Sequence, residues 1–226
     1  MNTYLKFKYS TESHDGICDA DCYILQFNED IIAENDEDGE FLVGKATQYL
    51  FLLEQAQDEG YPIFDILDST LEFCGTLLDI YDVEEGEIKE DIKEKIFGDC
   101  DEMLNGNICY LSRMAILPKY RGYGISKRVI RDNYRVFGSS CGLFAGKPFP
   151  LQLEHDALHD SDFERQMDYE QMEKDEKKAY KRLYNYYKSI GFIGFRGCDL
   201  IFLTPGYTNK KLEAIDMDTP IQDLRK

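Results

Sequence analysis

The sequence predicts an α/β protein: a mixed, strongly twisted sheet of six or seven strands with helices on both faces. Three observations carry this expectation. Short apolar or alternating runs of strand length recur along the whole chain. Between them stand segments with apolar residues at helical spacing, such as Ile66, Leu67, Leu71, Cys74, Leu77 and Tyr81. Residues 108–137 read as strand, glycine turn and helix in immediate succession.

In chain order, residues 3–9 set Tyr4, Lys6 and Lys8 against Leu5, Phe7 and Tyr9, the alternation of a half-buried strand. Residues 22–27 form a second apolar run, and the acidic stretch 28–40 reads as a loop at a hairpin turn. Residues 41–53 begin as a strand and lead into a helical segment that stops at Gly60. Asp65 to Tyr81 reads as a buried helix face, and residues 88–97 as a short helix in the acidic segment 82–107. Residues 108–117 form a strand stopped by Pro118, with a helix from about 124 to 137 beyond the turn. Cys141–Lys147 is apolar and rich in small residues, as a central strand is, and Pro148-Phe149-Pro150 ends it. Residues 151–176 are charged and helix-forming, a helical insertion before the last core helix, Ala179–Ser189. Gly191 suits the end of that helix. Phe192–Phe195 and Asp199–Thr204 read as closing strands, and the tail from Pro205 is polar and expected to be loosely held.

Composition bounds the function. A chain of 226 residues suffices for one well-buried domain. No apolar stretch approaches the roughly 20 residues of a membrane span, and the N-terminal M-N-T-Y-L-K-F-K-Y lacks the apolar core of a secretory signal. A cytoplasmic setting is expected. Seven cysteines without any C-x-x-C are expected to be reduced structural thiols. The formal charge of −18 argues against a nucleic-acid partner, because the field repels phosphate chains. The charge is uneven. Residues 1–112 hold 6 Lys/Arg against 28 Asp/Glu, whereas residues 113–135 hold seven basic residues against the single Asp132.

That basic island surrounds the most informative segment, R-M-A-I-L-P-K-Y-R-G-Y-G-I-S at 113–126. A strand, a glycine turn and a helix start aim several free backbone N–H groups at one spot, which favours phosphate. Gly122 and Gly124 tolerate positive φ and admit a close ligand. For the helix charges alone a solvated amphipathic helix is the better reading; combined with the glycine turn, the phosphate site is. No G-x-x-x-x-G-K-[ST] string occurs, and Lys127 stands where a dinucleotide fingerprint needs its third glycine.

Arg121-Gly122-Tyr123-Gly124-Ile125-Ser126 resembles the R/Q-x-x-G-x-G/A loop of the GNAT N-acetyltransferase superfamily. Tyr187-Lys188-Ser189-Ile190-Gly191-Phe192 is similar to the Y-x-x-x-G-F that ends that family's last core helix. The resemblance covers roughly residues 108–203. It departs at Ser126, where Gly or Ala is usual, and at Tyr180, where many members carry Asn. The Ser126 hydroxyl is expected to help cap the helix.

The resemblance implies an acyl-CoA N-acyltransferase fold in a single domain. Residues 1–107 would be its N-terminal strands and helices with acidic loops, 108–203 its acetyl-CoA-binding core, and 204–226 its tail. It implies acetyl-CoA as co-substrate and no metal. Acetyl would pass by direct attack to a small-molecule or peptide amine, and a homodimer would be the assembly. Residues 121–126 would hold the pyrophosphate, and backbone groups of Met114, Ala115 and Ile116 the pantetheine arm. Tyr187 would be the general acid, since a phenol is protonated at neutral pH. An acyl-CoA-binding sensor of the same fold is the alternative. No base is assigned: Asp68, Glu72, Asp79 and a water chain all remain open. His155 and His159 have the i, i+4 spacing of a metal-ligand pair, but no third ligand is in view and a solvated helix is the plainer reading.

Overall fold

The computed structural model describes residues 1–12, 19–69, 77–98, 103, 105–154 and 161–225. Among these, the strands are β1 (Asn2–Thr11), β2 (Ile24–Asn35), β3 (Gly39–Phe51), β4 (Tyr81–Asp82), β5 (Glu87–Ile88), β6 (Ile108–Ile116), β7 (Leu143–Gly146), β8 (Ile201–Leu203) and β9 (Ile221–Gln222). The α-helices are α1 (Leu53–Asp58), α2 (Ile63–Ser69), α3 (Glu90–Phe97), α4 (Ile125–Phe137), α5 (Glu176–Ile190) and α6 (Lys210–Glu213). Seven of the described strands form one mixed sheet in the order β8-β7-β6-β3-β2-β1-β9, and β4 pairs with β5 apart from it. Only β6 and β7 run parallel; the other pairs in the sheet are antiparallel. The expected α/β class with a mixed seven-stranded sheet is observed.

Both faces of the sheet are covered. Period-two alternation turns Tyr49, Phe51, Ile108, Tyr110 and Phe202 to one face, against Leu53, Ile66, Leu67, Ile92 and Ile96 of α1, α2 and α3. Leu50, Cys109, Phe144, Ile201 and Leu203 turn to the other, against Ile130 and Phe137 of α4 and Ile190 of α5. Cys109 and Cys141 are buried free thiols. Cys18, Cys74 and Cys100 lie outside the described residues.

A β-bulge in β6 positions everything that follows. Thr47 pairs with Arg113 and Gln48 with Leu111, so Ser112 is the extra residue. One inserted residue reverses the alternation. Cys109 and Leu111 therefore face α4 before the bulge, and Met114 and Ile116 face it after. The β6–β7 pairing also stops here, at Leu111 opposite Gly146. Beyond that point β7 is gone and β6 runs on to Ile116 with one edge unpaired among the described residues.

Four expectations are corrected. Residues 28–35 are strand, not loop: Lys6 meets Glu34 at 3.1 Å and Lys45 meets Asp30 at 3.7 Å, and Ile31, Ile32 and Ala33 are buried. These cross-strand cations offset the carboxylates. The helix expected over 65–81 is replaced by α2, a turn at 77–80 and strand β4, with residues 70–76 outside the described set. The insertion 151–176 is not α-helical where described. It forms 3₁₀ turns at Leu151–Leu153, Glu164–Gln166 and Tyr169–Gln171, because burying Phe163, Met167 and Tyr169 against Ala115 outweighs local helix propensity. The tail is docked rather than loose: β9 pairs with β1, and Leu212 and Leu224 are buried.

Candidate functional site

A cleft of about 510 Å³ opens where β6 and β7 part. Its floor includes Gln48, Asn133 and residues 111–116; α5 supplies Leu183, Tyr186 and Tyr187; the insertion supplies Met167, Tyr169 and Met172. The insertion is tied to β6 by ion pairs from Arg113 to Glu154 and, at 3.2 Å, to Glu164.

The unpaired edge of β6 is a row of backbone donors and acceptors. The Leu117 N–H donates to Val43 O on β3 at 2.9 Å. Strand alternation then turns the peptide groups of Met114 and Ile116 to the open side and those of Ala115 toward β3. Ile116 O is already engaged, because Arg121 Nε donates to it at 2.9 Å. Among the described residues, Met114 N–H and C=O and Ile116 N–H have no hydrogen-bond partner. Ala115 contributes its methyl to the wall rather than a free peptide group.

The glycine turn borders the cleft through Arg121 and Ser126, while Tyr123 and Gly124 line a smaller neighbouring hollow. Gly122 has φ +87° and Gly124, the N-cap of α4, φ +75°. A Cβ built at either meets nothing within 4 Å, so the backbone conformation, not crowding, requires glycine there. The 3₁₀ turn at Pro118–Tyr120 uses the amides of Tyr120 and Arg121. Helical bonding begins with Lys127 N–H to Gly124 O. The N–H groups of residues 122–126 between them have no backbone acceptor among the described residues. Five such amides stand at the positive end of a 13-residue helix, an arrangement that favours an anion. The Tyr123 ring is exposed beside them. Ile125 is buried and anchors the helix start.

Ser126 does not cap the helix. Its hydroxyl is hydrogen-bonded to the Tyr186 hydroxyl, clamping α5 to the turn, and no side chain caps α4. The basic island is also largely committed to holding the chain together. Arg121 bonds Ile116 O and Met167 O, joining β6 to the insertion. Arg128 bonds Thr219 O, and Arg131 bonds the carbonyls of Leu212, Glu213 and Ile215. Arg135 pairs with Asp132 at 2.7 Å. Lys119 lies over the Tyr120 ring, and Lys127 stands beside Lys211, Tyr123 and Gly124 in a smaller hollow.

Tyr187 also lines the cleft, with its ring edge-on to Tyr186 and to Phe192. Its hydroxyl makes no hydrogen bond among the described residues. Burial, and then the neighbouring Tyr186 phenol, hold its pKa above the ordinary value, so it is protonated at neutral pH. Gly191, with φ +117°, ends α5 and fixes the angle at which Phe192 returns beneath Tyr187. Asp68 and Asp79 are exposed and do not line the cleft. Glu72, His155 and His159 lie outside the described residues.

The sequence reading missed Gln48 and Asn133 in the floor and, beneath them, Glu29 on β2. Asn133 Nδ2 donates to Glu29 Oε2 at 3.0 Å. No local signal marks Glu29, which reads as one acid in an acidic run.

Among the described residues, no helix is long and apolar enough to cross a membrane. No family model, curated protein or solved structure matches this chain.

Proposed function

We propose that the chain is an acetyl-CoA-dependent N-acetyltransferase with the acyl-CoA N-acyltransferase fold, a relative of the GNAT superfamily acting in the cytoplasm. One observation carries the reading. A strand edge freed by the end of β7 shares one cleft with an unbonded phenol, and the turn whose amides are unbonded among the described residues borders that cleft through Arg121 and Ser126. An elongated ligand with a diphosphate at one end, amides along its length and a thioester at the other would satisfy all three.

The residues then act as follows. Amides of 122–126 hold the diphosphate, and Met114 and Ile116 pair with the arm as an added strand would. Fixing the thioester carbonyl beside a bound amine supplies the orientation that acyl transfer needs. The amine nitrogen attacks the carbonyl carbon, the C–S bond breaks, and the Tyr187 hydroxyl gives its proton to the leaving thiolate. The phenolate recovers a proton from the nitrogen of the new amide. Cys109 takes no part: burial and the neighbouring Cys141 keep its thiol protonated.

Calorimetry with acetyl-CoA and a thiol-release screen across an amine library test this. Binding with turnover supports it; no heat at millimolar acetyl-CoA refutes it. A binding-only sensor is favoured by one feature. Tyr180 stands where many members of the family have Asn, and its ring stacks on Tyr184. Heat without turnover on any amine selects the sensor.

A further inference from the structure

Beneath the cleft floor lies a buried polar cluster that the chemistry above leaves unused. Glu29 and Gln48 are each 1% exposed, Asn133 2% and Asp132 4%. The strand register sets Glu29 opposite Tyr9 on β1 and opposite Ala46 on β3. Asn133 on α4 links the group: it donates to Glu29 Oε2 at 3.0 Å and accepts from Gln48 Nε2 at 3.0 Å. The Tyr9 hydroxyl has one proton for two acceptors, Asp132 Oδ2 at 2.7 Å and Asn133 Oδ1 at 3.0 Å.

Two acceptors are left over. Glu29 Oε1 and Gln48 Oε1 are buried and have no hydrogen-bond partner among the described residues. Leaving buried acceptors unmet is costly, so a hydrogen-bearing group belongs between them. A water has two hydrogens for the two oxygens, and a polar site of this kind holds one. Gln48 and Asn133 also line the cleft, so the orphan pair leads from the cleft floor to the carboxyl.

The electrostatics suit a proton acceptor near neutrality. Desolvation pushes the Glu29 carboxyl up, the Asn133 and Gln48 amides pull it partly back, the Asp132 charge adds to the rise, and the result is about 7. The titratable and charged groups facing it are Tyr9 from β1 and Asp132 from α4, with Arg135 paired to Asp132. Gln48 from β3 and Asn133 from α4 are neutral. Among the carboxylates lining the cleft, the alternative is Glu173, which is exposed and accepts from the Asp175 N–H.

We propose that Glu29 takes up the ammonium proton of the acceptor amine, through a water held between Glu29 Oε1 and Gln48 Oε1 at the cleft floor. This rests on the acetyltransfer reading. The balance is complete. An N–H bond of the ammonium breaks, its proton passes to the water, and a water proton passes to Glu29. Tyr187 protonates the thiolate and is reprotonated from the new amide, so one proton per turnover leaves through Glu29. Gln48 and Asn133 are positioning residues for that transfer.

The test is the pH profile of thiol release for the wild type, Glu29→Gln and Glu173→Gln. The wild-type kcat/KM is expected to rise with an apparent pKa near 7. Glu29→Gln should lose about 100-fold at pH 8 and flatten that limb, with the acetyl-CoA Kd within about twofold of wild type. Glu173→Gln should keep the limb. Retention of the limb in Glu29→Gln, or its loss in Glu173→Gln, overturns the proposal and leaves the acetyltransfer reading standing. A wild type that turns over no amine takes both down. Titration of the labelled Glu29 carboxyl by NMR in wild-type protein needs no variant. Full ionisation by pH 5 overturns the proposal even if Glu29→Gln fails to fold.

Discussion

Replacing Glu29 with Gln should make the protein more stable at alkaline pH, and the size of the effect follows from the site. The amide keeps the shape of the carboxyl. Its oxygen still accepts from Asn133 Nδ2. What it removes is a charge in a nearly water-free setting. The wild-type carboxyl is raised from 4.5 to about 7. Each pH unit of displacement is worth about 1.4 kcal/mol, so the penalty for ionising Glu29 in the native state approaches about 3 kcal/mol. The sign follows from proton counts. Between pH 4.5 and 7 the native protein holds the proton that the unfolded chain has released, so wild-type stability falls as pH rises through that window. Below about pH 4.5 both states are protonated and wild type and variant should match. At pH 8 Glu29→Gln should exceed wild type by up to about 3 kcal/mol, about 6–12 °C in Tm for a chain of this length. Urea unfolding of both proteins from pH 4 to 8.5 measures the difference directly. A gap that does not change with pH, or a variant less stable at pH 8, would show that Glu29 ionises normally and refute the reasoning.

Other outcomes follow from the same geometry. Tyr187→Phe should cut thiol release by about 100-fold and leave acetyl-CoA affinity within about twofold, read by calorimetry. Gly124→Ala forces a Cβ into positive φ, costing about 1–2 kcal/mol of stability, and should weaken acetyl-CoA binding because the amides of 122–126 lose their aim. Leu224→Ala should lower stability by about 2–3 kcal/mol, since Leu224 is buried in the core cluster it shares with Ile31, Val43 and Ile125; thermal melts check it.

What the sequence revealed was carried by local chemistry. Pro118 stops a strand wherever it stands. Gly122, Gly124 and Gly191 adopt positive φ, which glycine alone tolerates freely, so their spacing outlined the turn and the helix end before any contact was known. What it hid depends on distant partners. Asp30 and Glu34 sit in a strand because Lys45 and Lys6 lie across from them, and neither lysine is near in sequence. The cations of α4 looked like a polyanion surface, yet Arg128 and Arg131 spend their donors on carbonyls at 212–219. The same contacts explain the docked tail: its polar composition is real, but its carbonyls are claimed by helix arginines and Leu212 and Leu224 fill the core. Glu29 was illegible for the reason that makes it interesting. A carboxylate in an acidic run reads as solvated, and only the fold puts it under Asn133.

The cleft itself arises from two small irregularities acting together. If β6 lacked the bulge at Ser112, Met114 and Ile116 would turn toward α1–α3, and Arg113 and Ala115 would take their places beneath α4. The ion pairs from Arg113 to Glu154 and Glu164 would be lost, and with them one tie holding the insertion as a wall. If β7 continued past Gly146, its backbone would satisfy the edge of β6 and leave no room between the strands. Pro148 and Pro150 prevent that, since neither has an N–H to add to a ladder. The bulge selects which side chains border the gap, and the prolines keep its backbone groups unpaired. Neither alone gives an extended, unsatisfied strand edge leading into the glycine turn. A ligand that completes this edge gains hydrogen bonds the protein cannot make for itself, and for that reason the affinity should reside in the backbone of β6 and the turn more than in the arginines around them.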